Sequence, residues 1–378
     1  MRKLAILGTL GILLFLSGCW DRWEIEERGF VLGLAIDRPP TVEQKEIFQV
    51  TMQRAITEAM AGGGGEGGTK PSPGLNISGT GQSLQQVFSL LVDTSNRPPS
   101  LEHLKVIIFG EKVARSGVGP LLDFFARNPE VRLGTDMLIA KGDARKVLEI
   151  RMETQQPAAL AIAESLDNRR YTLTMAPRQN VGQVLHALLE KQGVVVPRVI
   201  ATGKQFSLRG AALLKEGKLV DWLNGQEVAG YAWLMGRVEG GTVTINEPGH
   251  PEHQVSFRIT DASVFRRVSL TETGPEVEFR IRTEGDLAEI THVRKHGEDV
   301  QVLRRIEEVL AEDIRQTCLA TAKKMQRHET DALKLCNEVY RRWPQYWQAR
   351  QQEWPHLFAE MPITVRVEAH IRRSGVRE

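Results

Sequence analysis

Cys19 is placed where its thiol can be alkylated. The tetrapeptide Leu16-Ser17-Gly18-Cys19 closes an apolar run from Leu4 to Leu16, weakly interrupted at Gly8, Thr9 and Gly11 and preceded by Arg2 and Lys3. A permanent spanning helix needs about 20 apolar residues, so this run is too short to stay in a bilayer and instead has the length and basic flank of an export signal. Small residues before a cysteine at that position form a bacterial lipobox. The expected chemistry is a thioether between Cys19 and a diacylglyceryl group, cleavage before Cys19, and acylation (palmitate or a similar chain) of the new amine. Two or three chains, at about 0.8 kcal/mol per buried CH₂, make a stable anchor where one chain does not. Trp20 and Trp23 follow at once, at the depth where headgroups meet water and where indoles prefer to sit.

The remaining reactive residues offer less. Cys318 and Cys336 are 18 residues apart, about 27 Å along a continuous helix, so they read as two small buried hydrophobes unless a chain reversal brings them together. His250-Pro251-Glu252-His253 is the densest histidine cluster, but Gly249 and Pro251 place it in a loop. A zinc-protease pair needs a helix to put both imidazoles on one face; the pair reads as solvated, and no metal or cofactor is expected. The glycine run Gly62–Gly68 leads to Thr69 and then Lys70, the reverse of the phosphate-loop order, and Pro71 and Pro73 deny it the helix that would hold a phosphate. There is no Gly-x-Ser-x-Gly elbow, Cys-x-x-Cys or calcium loop, and no catalytic residue is assigned.

The elements carrying these residues follow from periodicity. Residues 30–36 and 47–55 alternate as strands around the breaker Asp37-Arg38-Pro39-Pro40, a hairpin with a long connection. The glycine-rich stretch 61–74 is a surface loop. Leu84, Val87, Phe88, Leu91 and Val92 share a helical face, and Leu104–Phe109 is a buried strand. A helix over Val118–Ala126, a strand over Val131–Ala140 and a helix from an Asp143 cap to about Met152 continue an alternation that gives helices layered on a sheet. Asn180 caps a helix that Gly193 closes. After Thr202 the chain becomes strand-rich, over Phe206–Leu214, Leu219–Leu223, Thr242–Ile245, Gln254–Phe265, Glu276–Arg282 and Leu287–Val293. A long helix with Val302, Ile306, Leu310, Ile314, Cys318, Ala322 and Met325 on one stripe should cover that sheet. A second helix reaches Arg342; Trp343, Tyr346, Trp347 and Trp354 then read as packing beneath a closing strand from Ile363 to Ile371. The fold class is α+β and multidomain, with N-terminal α/β layers followed by a mainly antiparallel sheet with a long packed helix. The division is residues 1–18 signal peptide, 19–150 N-terminal α/β domain, 151–203 helical middle region and 204–378 C-terminal α+β domain.

Composition narrows the function. Forty-nine Lys and Arg against 47 Asp and Glu leave +2, too little for the basic field that a nucleic-acid partner demands. Hydrophobic residues at 41% and charged residues at 25% suit a body that folds in water.

Short segments along nearly the whole chain resemble the C subunits of spore germinant receptors, the GerAC-type (Ger(x)C) lipoproteins. They are Gly18-Cys19-Trp20-Asp21 with Glu24-Ile25, Gly33-Leu34-Ala35-Ile36-Asp37, His103-Leu104-Lys105, Asp123-Phe124-Phe125 with Arg127, and Ile139-Ala140-Lys141-Gly142. In the C-terminal half they are Gly210-Ala211-Ala212, Lys218-Leu219-Val220, Gly230-Tyr231-Ala232-Trp233-Leu234, Gly285-Asp286-Leu287-Ala288-Glu289, Asp331, Arg342-Trp343-Pro344, Trp347, Trp354 and Arg372-Arg373-Ser374-Gly375. The resemblance implies a protein without enzymatic activity, held by Cys19 on the outer face of the inner spore membrane. Its partners would be two integral-membrane subunits, A and B, in a receptor that senses nutrients and triggers germination. Cys336 stands where that family tends to carry other small or apolar residues. Two rivals share the signal: a solute-binding lipoprotein of an importer, which would show two similar lobes, and a tethered cell-wall hydrolase, which would need a paired-carboxylate site.

Overall fold

The computed structural model describes residues 28–39, 47–56, 73–290 and 300–373. Cys19, Trp20, Trp23 and the glycine run lie outside them. In chain order the strands are β1 (Gly29–Asp37), β2 (Phe48–Ala55), β3 (Gly74–Gly81), β4 (Pro99–Ser100), β5 (Val106–Phe109), β6 (Asp136–Ala140), β7 (Val194–Thr202), β8 (Gln205–Ser207), β9 (Ala211–Lys215), β10 (Lys218–Leu223), β11 (Thr242–Glu247), β12 (His250–Thr271), β13 (Gly274–Ile290) and β14 (Ile363–Arg373). The helices are α1 (Leu84–Asp93), α2 (Glu111–Ser116), α3 (Gly119–Arg127), α4 (Ala144–Leu148), α5 (Ala158–Ser165), α6 (Val181–Leu189), α7 (Gly225–Leu234), α8 (Val300–Arg327), α9 (Leu335–Arg342), α10 (Pro344–Arg350) and α11 (Trp354–Glu360).

Ten strands form one sheet in the order β10-β9-β7-β6-β5-β1-β2-β3, with β4 beside β1 and β8 beside β7. Its centre, β1-β5-β6-β7, is parallel, and the outer neighbours β2, β3, β9 and β10 pair antiparallel. Parallel strands must be covered on both faces, and here they are. On β1, Leu34 and Ile36 join one core with Leu84 and Val87 of α1, Leu122 and Phe125 of α3, and Val181 and Val184 of α6. Leu32 and Ala35 point the other way, into a second core with Val147 and Leu148 of α4 and Ile162 of α5. Each such Leu, Ile or Phe taken out of water contributes about 1.5–3 kcal/mol; the register shift between Val31 and Gly33 resets the alternation, so Leu32 and Leu34, two apart, enter opposite cores.

The second sheet is β11-β12-β13-β14, antiparallel except for β14, which runs parallel to β13. Ile306, Leu310, Ile314, Cys318, Ala322 and Met325 of α8 pack against its inner face with Phe257, Phe279 and Ile281. The outer face is charged and exposed, with Arg282 paired to Glu368 and Arg366 to Glu278. α7 crosses α8 at close range because Gly230 has no side chain; a Cβ there would collide with Thr321 Oγ1 and stand 2.6 Å from the Thr317 carbonyl oxygen.

Several expectations are corrected. Residues 211–215 and 218–223 belong to the larger sheet, not to the C-terminal one. The reason is that β9 and β10 are buried on both faces. Ala212 and Leu214 enter the α6 side, whereas Ala211, Leu213 and Leu223 enter the core shared with α7 and the second sheet. Residues 274–290 form one strand rather than two, and the strand expected from Val131 starts only at Asp136. α4 stops at Leu148, and the side chain of Asp143 does not cap it; Asp143 pairs with Lys146 instead (2.9 Å). The cap comes from Asp37, whose two carboxylate oxygens accept the Ala144 and Arg145 amides at 2.7 and 2.8 Å. Asn180 caps α6 in a reciprocal box with Gln183. The helix ends at Leu189, before Lys191 at φ 51; Gly193 serves a different purpose, described below. The tryptophans behave as packing residues: Trp354 is buried, and Trp343 and Trp347 lie against the same core.

Candidate functional site

The residue assigned to lipidation, Cys19, precedes the described body, which begins at Arg28. Arg28 pairs with Glu102 at 2.9 Å, and the Gly29 amide donates to the Pro98 carbonyl at 2.9 Å. The chain therefore enters at the amino ends of the parallel strands. Eight residues lie between Cys19 and Arg28, a reach of about 30 Å when extended.

A cleft of about 520 Å³ opens at the same end of the sheet. Strand register places it there: Gly33 lies beside Val106, Val106 beside Asp136, and Ile139 beside Arg198. Gly29 and Gln192 thus both precede that common level on strands three spacings apart. The cleft lies between the turn after α6 and the loop from α8 into α9, where a Cβ on Gly193 would collide with Thr330 Cγ2 and stand 3.0 Å from the Ala332 amide nitrogen. Gln192, 3% exposed, donates to Asn337 Oδ1 at 2.7 Å, and Lys215 pairs with Glu329 at 3.0 Å across the rim.

Asp331 lies beneath the cleft, 5% exposed. Its Oδ1 accepts the Leu335 amide at 3.1 Å, and its Oδ2 accepts the Cys336 amide at 2.8 Å and Trp354 Nε1 at 3.1 Å. Burial raises its pKa while these donors oppose the shift. Its acceptor positions are thus spent on starting α9 and fixing Trp354, which makes it a structural acid rather than a free base. Cys336 beside it is equally unsuited to chemistry: burial and the Asp331 charge push its thiol pKa up, and burial does the same for Cys318. Both are free thiols in the core, as the sequence reading expected, and a nucleophile would need a thiolate.

A second polar group fastens the two sheets. Lys324 on α8 donates to the Trp222 carbonyl at 2.7 Å and to both Glu227 oxygens at 3.1 Å, and lies 3.3 Å from Asp221. His328 Nε2 lies 2.9 Å from Asp221. Burial alone would raise the Asp221 carboxyl, but the Trp222 amide, His328 and Lys324 together bring it below the ordinary aspartate value. These partners lie about a hundred residues apart in the chain, so only the charged face of α8 hinted at them.

The histidine pair is not in a loop. His250 and His253 open β12, and their rings stack with centroids 5.5 Å apart. Glu252 and Glu247 stand beside them; the expected loop is thus a strand end, while His250 is exposed and His253 half-buried. Among the described residues no helix is long and apolar enough to cross a membrane.

Comparison with known proteins covers the whole body. Residues 21–201 match the family described as spore germination protein N-terminal domain, and residues 209–375 match the family described as spore germination B3/GerAC like, C-terminal. The chain is 27% identical to spore germination protein YndF of Bacillus subtilis, over 96% of this chain and 95% of that protein. It is 25% identical to spore germination protein B3 of the same organism, over 92% of each. The crystal structure of the GerBC protein superposes with a TM-score of 0.60 at 20% identity, over 90% of this chain and 97% of that one.

Proposed function

The chain belongs to the GerAC-type family of spore germination proteins, and from that premise we propose that it is a lipid-tethered subunit of a nutrient germinant receptor. Cys19 carries the diacylglyceryl group, Trp20 and Trp23 sit among the headgroups, and the body rests on the outer face of the inner spore membrane. There it assembles with the integral-membrane A and B subunits and takes part in signalling without making or breaking a covalent bond.

The observation that supports this reading is the pairing of Gly18-Cys19 with two family matches that together run from residue 21 to residue 375. Entry of the chain at Arg28 agrees with it, because a linker with a reach of about 30 Å keeps the amino end of β1 within that distance of the bilayer. Confinement to a thin shell raises the effective concentration toward membrane partners to roughly millimolar, so weak contacts suffice. An importer's solute-binding lipoprotein is less well supported, since the ten-stranded and four-stranded sheets are not two similar lobes. The test is Cys19→Ala expressed in the native host. The protein should leave the membrane fraction, and the spores should respond poorly to the nutrient; retention in membranes with a normal response refutes the reading.

A further inference from the structure

The hairpin joining β11 to β12 carries two imidazoles and two carboxylates that a docking role leaves unused. Its ladder is regular from Thr242 opposite Arg258 to Asn246 opposite Gln254, and then breaks, because Glu247 pairs with His250. Residues 251–253 have no counterpart on β11. Pro251, which lacks an amide hydrogen, sits in this bulge, and bulges re-aim the side chains they carry.

The re-aimed side chains converge. His250 Nδ1 lies 3.5 Å from Glu252 Oε1, and His253 Nε2 lies 3.7 Å from the same oxygen. One ligand atom from each of these three residues lies within 4.8 Å of the others. Glu247, only 9% exposed, places Oε2 3.2 Å from His253 Nδ1. A carboxylate on Nδ1 fixes the proton there and turns the lone pair of Nε2 outward, the arrangement by which proteins orient a metal-ligating histidine. A tetrahedral ion with bonds of about 2.0–2.2 Å holds its ligands about 3.3–3.5 Å apart. The two spacings to Glu252 Oε1 need to close by at most a few tenths of an ångström, the imidazole nitrogens start within 4.8 Å of each other, and the side chains of His250 and Glu252, 58% and 62% exposed, can swing to close the set. Two imidazoles and one carboxylate suit zinc and its transition-metal neighbours rather than magnesium or calcium.

We propose that His250, Glu252 and His253 form a three-ligand site for a divalent transition-metal ion of the zinc class, with Glu247 orienting His253 and water completing the coordination. The ion ties together the bulged start of β12, from which all three ligands come.

The test is calorimetric titration of the full chain in detergent with zinc sulfate at pH 7.5, with magnesium and calcium as controls. One equivalent of zinc should bind, His253→Ala should lose it, and Glu247→Gln should weaken it about 10–100-fold, with circular dichroism unchanged in both variants. Absence of a saturable equivalent, or equal binding by the folded His253→Ala protein, overturns the site.

Discussion

Asp37→Asn separates the charge on a buried carboxyl from its shape. Asp37 is 5% exposed at the end of β1, and burial raises its pKa from 3.8 to about 6 despite the two amides it accepts from α4. A folded-state pKa above the unfolded one means that the folded protein holds the proton more tightly. The stabilisation is therefore complete below about pH 4 and is lost as pH rises through about 6. At 1.36 kcal/mol per tenfold change, the displacement amounts to about 3 kcal/mol. Asn is neutral at every pH and nearly isosteric, so it carries no such dependence. Urea unfolding of both proteins between pH 4 and pH 7.5 isolates Asp37, because all other titrating groups are common to the pair. The stability of Asp37→Asn relative to the parent should rise by about 2–3 kcal/mol across that range. A flat difference, or one falling with pH, would refute the claim that desolvation outweighs the amide donors at this site.

Other perturbations probe the junction and the core. Asp331→Ala strips partners from the Leu335 and Cys336 amides and from Trp354 Nε1, and should cost about 2–4 kcal/mol in denaturant melts, with an altered tryptophan emission. Gly230→Ala drives a methyl into Thr321 at the α7–α8 crossing and should cost about 1–3 kcal/mol; unchanged stability would mean that the helices cross less closely. Cys318 and Cys336, both buried, should resist a thiol reagent in the native protein at pH 8 and react on unfolding.

The sequence revealed local order well. The hairpin of β1 and β2, the apolar stripe of α8 and the Asn180 box are each written in contiguous residues, and the structure contains all three. Assignment of β9 and β10 was not legible, because an alternating or apolar strand looks the same whichever sheet accepts it; only the presence of two cores, one on each face, decides the matter. The cap on α4 was misread for a related reason. Asp143 has the right type and place, yet an aspartate 107 residues from Ala144 reaches the amides first. The polar fastening around Lys324 is equally long-range. The histidine cluster did leave a signal, since His250 and Glu252 are two apart and share a face in any extended strand. The bulge that brings His253 round to them is a product of pairing with β11.

The tether carries the functional account, and the mass of one peptide tests it most directly. The amino-terminal peptide of protein extracted from its native host should begin at Cys19 and carry a diacylglyceryl thioether; a peptide with a bare Cys19 thiol, or with the preceding residues still attached, would contradict it.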